Sequence, residues 1–214
     1  MSENPEAARQ MLRHTVATLA YRGGKTVRSA PASFADFLAT DGTRPPIRIL
    51  AHIGDLLDWA LSIAQGQPKW HDSTPLPWDQ EVGRFFEALA RFDARLASDD
   101  PLGVPPEKLF QGPIADALTH IGQLAMLRRM AGVPMRGENY FVADVAVGRV
   151  GADQAHPRRE FEEPPNDGLQ RASLVACAAR LACTSSAPSS SVPGFVLPAP
   201  SLKPGVVPTE GALE

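Results

Sequence analysis

The sequence predicts an all-α fold, a four-helix bundle followed by an irregular C-terminal tail. Four segments carry apolar residues at the 3.6-residue period of an amphipathic helix, and loops of bundle-like length separate them. No strand-like segments alternate with these helices, which disfavours a parallel sheet. Residues 1–163 are therefore expected to form the folded domain. Residues 164–214, which are rich in Pro and Ser and poor in charge, are expected to form the tail.

Glycine and proline set the predicted helix boundaries, because they are common at helix ends. The first helix is expected to stop at Gly23-Gly24, and proline stands in the first turn of the second. The predicted helices cover residues 5–22, 78–97 and 113–131. A further helix starts within residues 43–46 and continues to about residue 65, and an additional helical turn is predicted at 105–110. Residues 139–150 are β-branched and aromatic, which predicts an extended segment. In the tail, only residues 169–181 have helix-forming composition.

The composition disfavours several classes of protein. The formal charge of −3 and the pI of about 6.0 give no electrostatic case for nucleic acid or an anionic membrane as a partner. No apolar stretch approaches the ~20 residues of a membrane span, and the N-terminus lacks the pattern of a signal peptide. Two cysteines, six residues apart in the tail, do not predict a disulfide framework. A cytoplasmic protein without nucleic-acid or membrane partners is expected.

Polar residues lie on the apolar faces of two predicted helices. His52 lies within about 40° of the apolar stripe of the second helix, and Asp116 and His120 share one face of the fourth. A buried carboxylate without a partner costs several kcal/mol, so Asp116 is expected to need compensation. Zn²⁺, Ni²⁺ or Fe²⁺ bound by His52, Asp116 and His120 would supply it and would leave coordination positions open.

Simpler interpretations of these residues stay open. A single histidine on an apolar face is usually a core residue, and Asp116 and His120 can form an ion pair, or Asp116 can cap its helix. Asp55, one turn from His52, competes as a ligand, can orient an imidazole, or faces solvent. Asp55 and His14 are the candidates for a separate base.

Two sequence runs resemble the DinB-like superfamily, which includes the YfiT-type metal-dependent hydrolases. They are residues 49–59 (ILAHIGDLLDW) and 116–123 (DALTHIGQ), and the resemblance extends over about residues 5–163. It implies a bundle of up-down-down-up connectivity, with a metal held by one histidine of the second helix and a His-x-x-x-His pair of the fourth. His52 and His120 match these positions. Asp116 replaces the remaining histidine, a departure compatible with a changed metal or an empty site.

The resemblance also implies a chemistry. Characterised members of the superfamily include maleylpyruvate isomerases that use mycothiol and transferases that use bacillithiol. It therefore implies a metal-dependent transferase, isomerase or hydrolase that acts on a small molecule, where the metal activates a low-molecular-weight thiol or water. A homodimer is also plausible by this resemblance. A different class competes, namely a noncatalytic helical bundle that acts as a binding or stress-associated protein.

Overall fold

The structure, a computed structural model, describes residues 5–161 and is mainly helical. Its helices are α1 (Pro5–Val27), α2 (Pro46–Ala64), α3 (Trp78–Ala97), α4 (Pro106–Leu109) and α5 (Ala115–Met130). The strands of these residues, β1 (Gly137–Glu138) and β2 (Glu160–Phe161), form one antiparallel pair. The predicted all-α fold class is therefore confirmed. The predicted tail and its candidate helix lie outside the described residues.

Helix α1 passes through Gly23 and Gly24, so the predicted end at Arg22 is wrong. A Cβ atom on Gly23 would lie 2.5 Å from the ring of Phe85 and 3.2 Å from the side chain of Ile121. The two glycines therefore permit close approach of neighbouring helices. Packing between helices overrides the local preference of glycine for helix ends.

A kink separates α4 from α5. Gly112 has a non-helical backbone conformation (φ −90°, ψ −105°), and Pro113 follows it. Proline removes a backbone donor and clashes with the preceding turn, which explains the break. Helix α5 therefore begins at Ala115, two residues after the predicted start at Pro113. The helical turn predicted before the kink is confirmed as α4, and the predicted bounds of α2 and α3 agree closely with the structure.

Side-chain contacts establish the directions of the long helices. Arg13, near the start of α1, bonds to Asp93, near the end of α3, so these two helices are antiparallel. The other pairs that fix directions are Asp55–Arg84 and Ala64–Arg95 between α2 and α3, and Gly23–Ile121 and Thr26–Arg128 between α1 and α5. Helices α1 and α5 thus run one way, and α2 and α3 run the opposite way. Each of α1 and α2 packs against both α3 and α5.

All four long helices contribute to one apolar core. Its fully buried side chains include Leu19, Ile53, Leu57, Phe85, Phe92 and Leu124. A short 3₁₀ turn between α1 and α2 adds Phe34, whose ring meets Trp78 edge to face at 5.5 Å. Within residues 5–161, no helix combines the length and the apolar character needed to cross a membrane.

The chain after α5 does not form the extended segment predicted for residues 139–150. A 3₁₀ turn covers Tyr140–Val142, and both strands lie outside residues 139–150. The carboxylate of Glu138 in β1 is buried and accepts hydrogen bonds from Tyr21 Oη (2.5 Å) and Lys25 Nζ (2.7 Å) of α1. Lys25 also binds Glu160 in β2 at 2.7 Å. Within the predicted segment, the side chain of Asn139 accepts a hydrogen bond from the backbone N–H of Phe141, so a local turn forms despite the β-propensity of these residues.

Candidate metal centre

The structure brings the three predicted ligands together, and we call them the metal trio: His52 of α2 with Asp116 and His120 of α5. His120 Nε2 lies 3.4 Å from one Asp116 carboxylate oxygen, and His52 Nε2 lies 4.0 Å from the other. One ligand atom from each residue lies within 4.8 Å of the other two. The trio thus joins two helices that are separated in the sequence by α3, α4 and the segments that connect them.

The helical period and the packing of α2 on α5 together create this convergence. Asp116 and His120 are one turn apart on α5, so their side chains lie one above the other. His52 reaches them from α2, and its ring meets that of His120 edge to face at 4.8 Å between centroids. The imidazoles are therefore held by neighbouring helices, which makes their positions more defined than positions on loops would be.

Gln123 fixes the tautomer of one histidine. His120 Nδ1 lies 2.8 Å from Gln123 Oε1, an oxygen that can only accept a hydrogen bond. Nδ1 therefore carries a proton, and Nε2 is the ring nitrogen that faces Asp116. An oxygen acceptor behind the ring is typical of histidines that bind metals through their other nitrogen. The sequence motif contained Gln123, but the role of this residue depends on its rotamer and became apparent only in the structure.

Asp116 is not buried, and the expectation that it lies in the bundle interior is wrong. Its side chain is 49% exposed, against 24% for His52 and 13% for His120. Asp116 lies on the exposed face of the first turn of α5, whereas Ala117 in the same turn is buried in the core. Because water reaches the Asp116 carboxylate, no bound cation is needed to compensate for burial of its charge. The exposed side of the trio instead leaves room for a ligand from solvent.

Burial lowers the pKa of His52 below its ordinary value of 6.5. The neighbouring His120 and the charge of Arg44 act in the same direction, whereas Asp116 and Asp55 oppose them. His52 is thus neutral at pH 7. A neutral imidazole has the free lone pair that metal coordination requires.

The donor set and spacing of the trio fit a divalent transition metal. Two ligand atoms that each lie about 2.1 Å from one ion are at most about 4.2 Å apart. The two separations from Asp116, 3.4 Å and 4.0 Å, are within this limit. They are measured to different carboxylate oxygens, and one ligand atom from each of the three residues lies within 4.8 Å of the other two. A small movement of these side chains would therefore bring all three onto one ion. Two imidazoles and one carboxylate suit Zn²⁺, Ni²⁺ or Fe²⁺.

Asp55 is not available as a base, and it does not orient His52. Its carboxylate accepts hydrogen bonds from Arg84 and from the hydroxyl (2.6 Å) and backbone N–H (3.0 Å) of Ser73. Burial opposes its ionisation, but these hydrogen bonds outweigh burial and lower the pKa of Asp55. A carboxylate that is this well hydrogen-bonded is a weak base. It instead attaches the loop before α3 to α2.

His14, the other candidate base, is not part of the metal trio. It is exposed on α1, whose buried neighbours Leu12 and Val16 face the core. Within residues 5–161, the groups of histidines and carboxylates close enough to share an ion do not include His14. His14 is therefore not a ligand of the trio, and its role as a base stays a prediction.

A second group of ionisable residues, which we call the arginine cluster, lies where the loop between α2 and α3 contacts α2. Asp55, Asp58 and His71 have ligand atoms within 4.8 Å of one another. Arg84 binds both carboxylates, and Arg91 binds Asp58 at 2.6 Å. Guanidinium groups thus neutralise these acids. Sequence patterns missed this cluster, because His71 lies in an irregular loop whose position no helical period predicts.

Trp70 in the same loop contacts the metal trio. Its indole meets the ring of His52 at 5.7 Å and that of Trp59 at 5.8 Å between centroids, both edge to face.

Arg128, near the end of α5, has a structural role. Its side chain is buried and donates to the backbone oxygens of Val133, Thr26 and Arg28, so it is not free to bind a substrate.

Comparisons with family models, curated proteins and solved structures find no match for this chain. The DinB-like resemblance therefore remains a prediction that depends on the two sequence runs. The metal trio is defined by distances and hydrogen bonds of the chain itself. The function that follows is argued from that geometry.

Proposed function

We propose that this chain is a metal-dependent enzyme of the DinB-like kind. It acts on a small molecule, as a transferase or isomerase that uses a low-molecular-weight thiol, or as a hydrolase. The observation that carries the proposal is the convergence of His52, Asp116 and His120, with Gln123 behind one imidazole. Ligands from two helices and an oriented tautomer are features that an isolated surface ion pair does not need.

The directions of the helices support the DinB-like part of this proposal. Helices α1 and α5 run opposite to α2 and α3, which is the order that the resemblance implies. His52 and His120 occupy the positions of two of the implied histidine ligands. Asp116 differs from the third, and we propose that it serves as a carboxylate ligand of the same ion.

Each residue of the trio has a separate task in this proposal. His52 and His120 would bind the ion through Nε2, and Gln123 accepts the hydrogen bond of His120 Nδ1. The Asp116 carboxylate would offset part of the charge of a divalent cation. The bound cation would supply Lewis acidity. It would lower the pKa of a thiol or of water, so that the group ionises near neutral pH. The exposed side of Asp116 leaves a path for the thiol and the substrate.

An assay of S-transfer tests the proposed reaction. The full chain, purified without an affinity tag, is loaded with Zn²⁺, Ni²⁺ or Fe²⁺ and incubated with an aryl halide electrophile and each of several cellular thiols. We expect one thiol to be consumed faster than in the absence of protein, and this acceleration to be lost in His52→Ala and His120→Ala. His156→Ala is the matched control, because His156 is exposed and lies outside the trio.

The other outcomes separate the remaining classes. Activity on an ester panel without thiol dependence would indicate the hydrolase. A folded chain that binds metal but accelerates neither reaction would favour the noncatalytic binding bundle, and a folded chain that retains no metal would contradict the proposal. Light scattering on the same samples tests the homodimer that the DinB-like resemblance implies.

A further inference from the structure

We propose that Trp70 and Arg44 form a subsite beside the metal trio for a small organic anion with a flat apolar body. This assignment extends the proposed function, because the subsite orients a substrate whose reacting group faces the metal. It follows from three properties of the surface around His52: an exposed indole, its rigid attachment, and an arginine that has no carboxylate partner within residues 5–161.

The indole of Trp70 is more exposed than a packing role requires. The residue is 42% exposed, although its edge contacts reach both His52 and Trp59. Trp59 packs against the hydrophobic core, so it links the indole to the rigid part of the bundle. The remaining exposed part of the indole is apolar surface next to a metal ligand, and a flat ligand that covered it would gain from removing that surface from water.

Hydrogen bonds on both sides of Trp70 fix its position. On one side, the backbone N–H of Lys69 donates to Ser62 Oγ at 3.0 Å. On the other side, Ser73 donates from its hydroxyl and its backbone N–H to Asp55. Ser62 and Asp55 both belong to α2, so the helix that carries His52 also holds the loop. A preorganised aromatic surface binds a ligand at a lower entropic cost than a mobile one.

Arg44 supplies the positive charge. It is exposed just before α2, and Pro45 and Pro46 follow it and restrict the backbone. Among the ion pairs of residues 5–161, none includes Arg44. Its charge nevertheless acts on His52, which places it near the trio. An arginine without a carboxylate partner beside the trio favours a negatively charged group on the ligand, such as a carboxylate.

Three probes test this subsite: benzoate, which is flat and anionic; benzyl alcohol, which is flat and neutral; and cyclohexanecarboxylate, which is anionic but not flat. Affinity is measured for every variant by calorimetric titration of the full chain with and without Zn²⁺. In the chains that keep Trp70, the NMR signal of its indole N–H, assigned with Trp70→Phe, reports whether the ligand lies against this residue. We expect benzoate to shift this signal and to bind more tightly than the other two. Trp70→Leu and Arg44→Gln should each weaken benzoate binding about 5-fold.

Matched controls are Phe141→Leu, which removes an exposed ring far along the sequence, and Arg48→Gln, which removes an exposed arginine one helical turn after Arg44. Both should bind benzoate as the wild type does. Trp70→Phe should keep most of the affinity, and it guards against a loss caused by misfolding.

The outcomes for the metal and for the subsite are distinguishable. Benzoate binding through Trp70 and Arg44 in a chain that retains no Zn²⁺ would support the subsite and contradict the metal proposal. Zn²⁺ binding at the trio with equal benzoate affinity in the wild type and Trp70→Leu would overturn the subsite alone. An absence of any shift of the Trp70 signal with benzoate would also overturn it.

Discussion

The metal trio and the arginine cluster contain the same kinds of residue but meet different partners. Each has three histidine and aspartate side chains with ligand atoms within 4.8 Å. In the arginine cluster, Arg84 and Arg91 already bind the carboxylates. In the metal trio, the ion pairs of Asp116 within residues 5–161 are with the two histidines. The arginine cluster thus contains its own arginine cations, whereas no arginine or lysine within residues 5–161 forms an ion pair with the metal trio.

This difference indicates which group is the better candidate for a metal. An ion that entered the arginine cluster would have to displace a guanidinium from a buried carboxylate or bear its repulsion. An ion that entered the trio would meet two imidazoles, one of them neutral through burial and the other oriented by Gln123. The spacing of the ligand atoms does not distinguish the two groups. The arginines that already bind the carboxylates of one group do distinguish them.

Removal of a histidine should separate the two groups most strongly. We expect His120→Ala and His52→Ala to lower Zn²⁺ affinity by more than about 100-fold, since a ligand matters more than its outer hydrogen-bond partner. His71→Ala should leave the affinity within about 2-fold. Calorimetric titration of the full chain measures all three. Equal losses in His71→Ala and His120→Ala would break the distinction between the groups.

Removal of the built-in cation should affect stability and leave metal binding intact. Arg84→Met leaves the buried carboxylate of Asp55 without its main cation, so we expect unfolding to become easier by about 2 kcal/mol. Urea unfolding measures this change, and Zn²⁺ titration of the same variant should give the wild-type affinity. Arg48→Met is the control for loss of an exposed arginine. Unchanged stability in Arg84→Met would show that the cluster is not structural.

Gln123 should affect only the trio. Gln123→Leu removes the acceptor that holds the His120 proton on Nδ1, so we expect Zn²⁺ affinity to fall about 10-fold. Gln111→Leu is a matched control, because Gln111 is also exposed but lies in the kink before α5. Gln123→Glu retains an oxygen acceptor and should bind at least as tightly as the wild type. Wild-type affinity in Gln123→Leu would contradict the role given to this hydrogen bond.

The two groups should also differ in their dependence on pH, which is the smallest effect. The pKa of Asp55 is lowered, so its contribution to stability is present above its ordinary value of 3.8 and is lost as the pH falls through its lower folded value. The pKa of His52 is lowered from 6.5, so stability and metal affinity are full above that value and decline as the pH falls through the folded one.

Thermal melts between about pH 3 and pH 8 separate these two contributions. Asp55→Asn should remove the most acidic part of the profile, and His52→Gln should remove the part nearer neutrality. A profile that His52→Gln leaves unchanged would mean that this histidine has the same pKa in the folded and unfolded chain.

The helical period predicted much of this molecule, because it depends on local spacing. It placed α2 and α3 and identified His52, Asp116 and His120 as residues of facing helices. It did not predict that Gly23 and Gly24 lie inside α1, since that depends on the rings packed against them. The helix face of Asp116 was predictable, but its exposure was not, because exposure depends on the tertiary surroundings.

Loops and long side chains were beyond prediction for a related reason. Trp70 and His71 reach α2 through hydrogen bonds between residues of one loop and one helix, and no sequence period encodes such contacts. Arg128 lies late in α5, where basic side chains usually face water. It is instead buried against backbone oxygens of the chain after α1. These positions depend on tertiary contacts that spacing does not determine.

Anomalous diffraction from crystals of the full chain grown with Zn²⁺ tests the central claim most directly. The metal trio predicts one strong peak at the zinc edge, about 2.0–2.2 Å from His52 Nε2, His120 Nε2 and an oxygen of Asp116. A peak between Asp55 and His71, or ordered density for the trio without any peak, would contradict it.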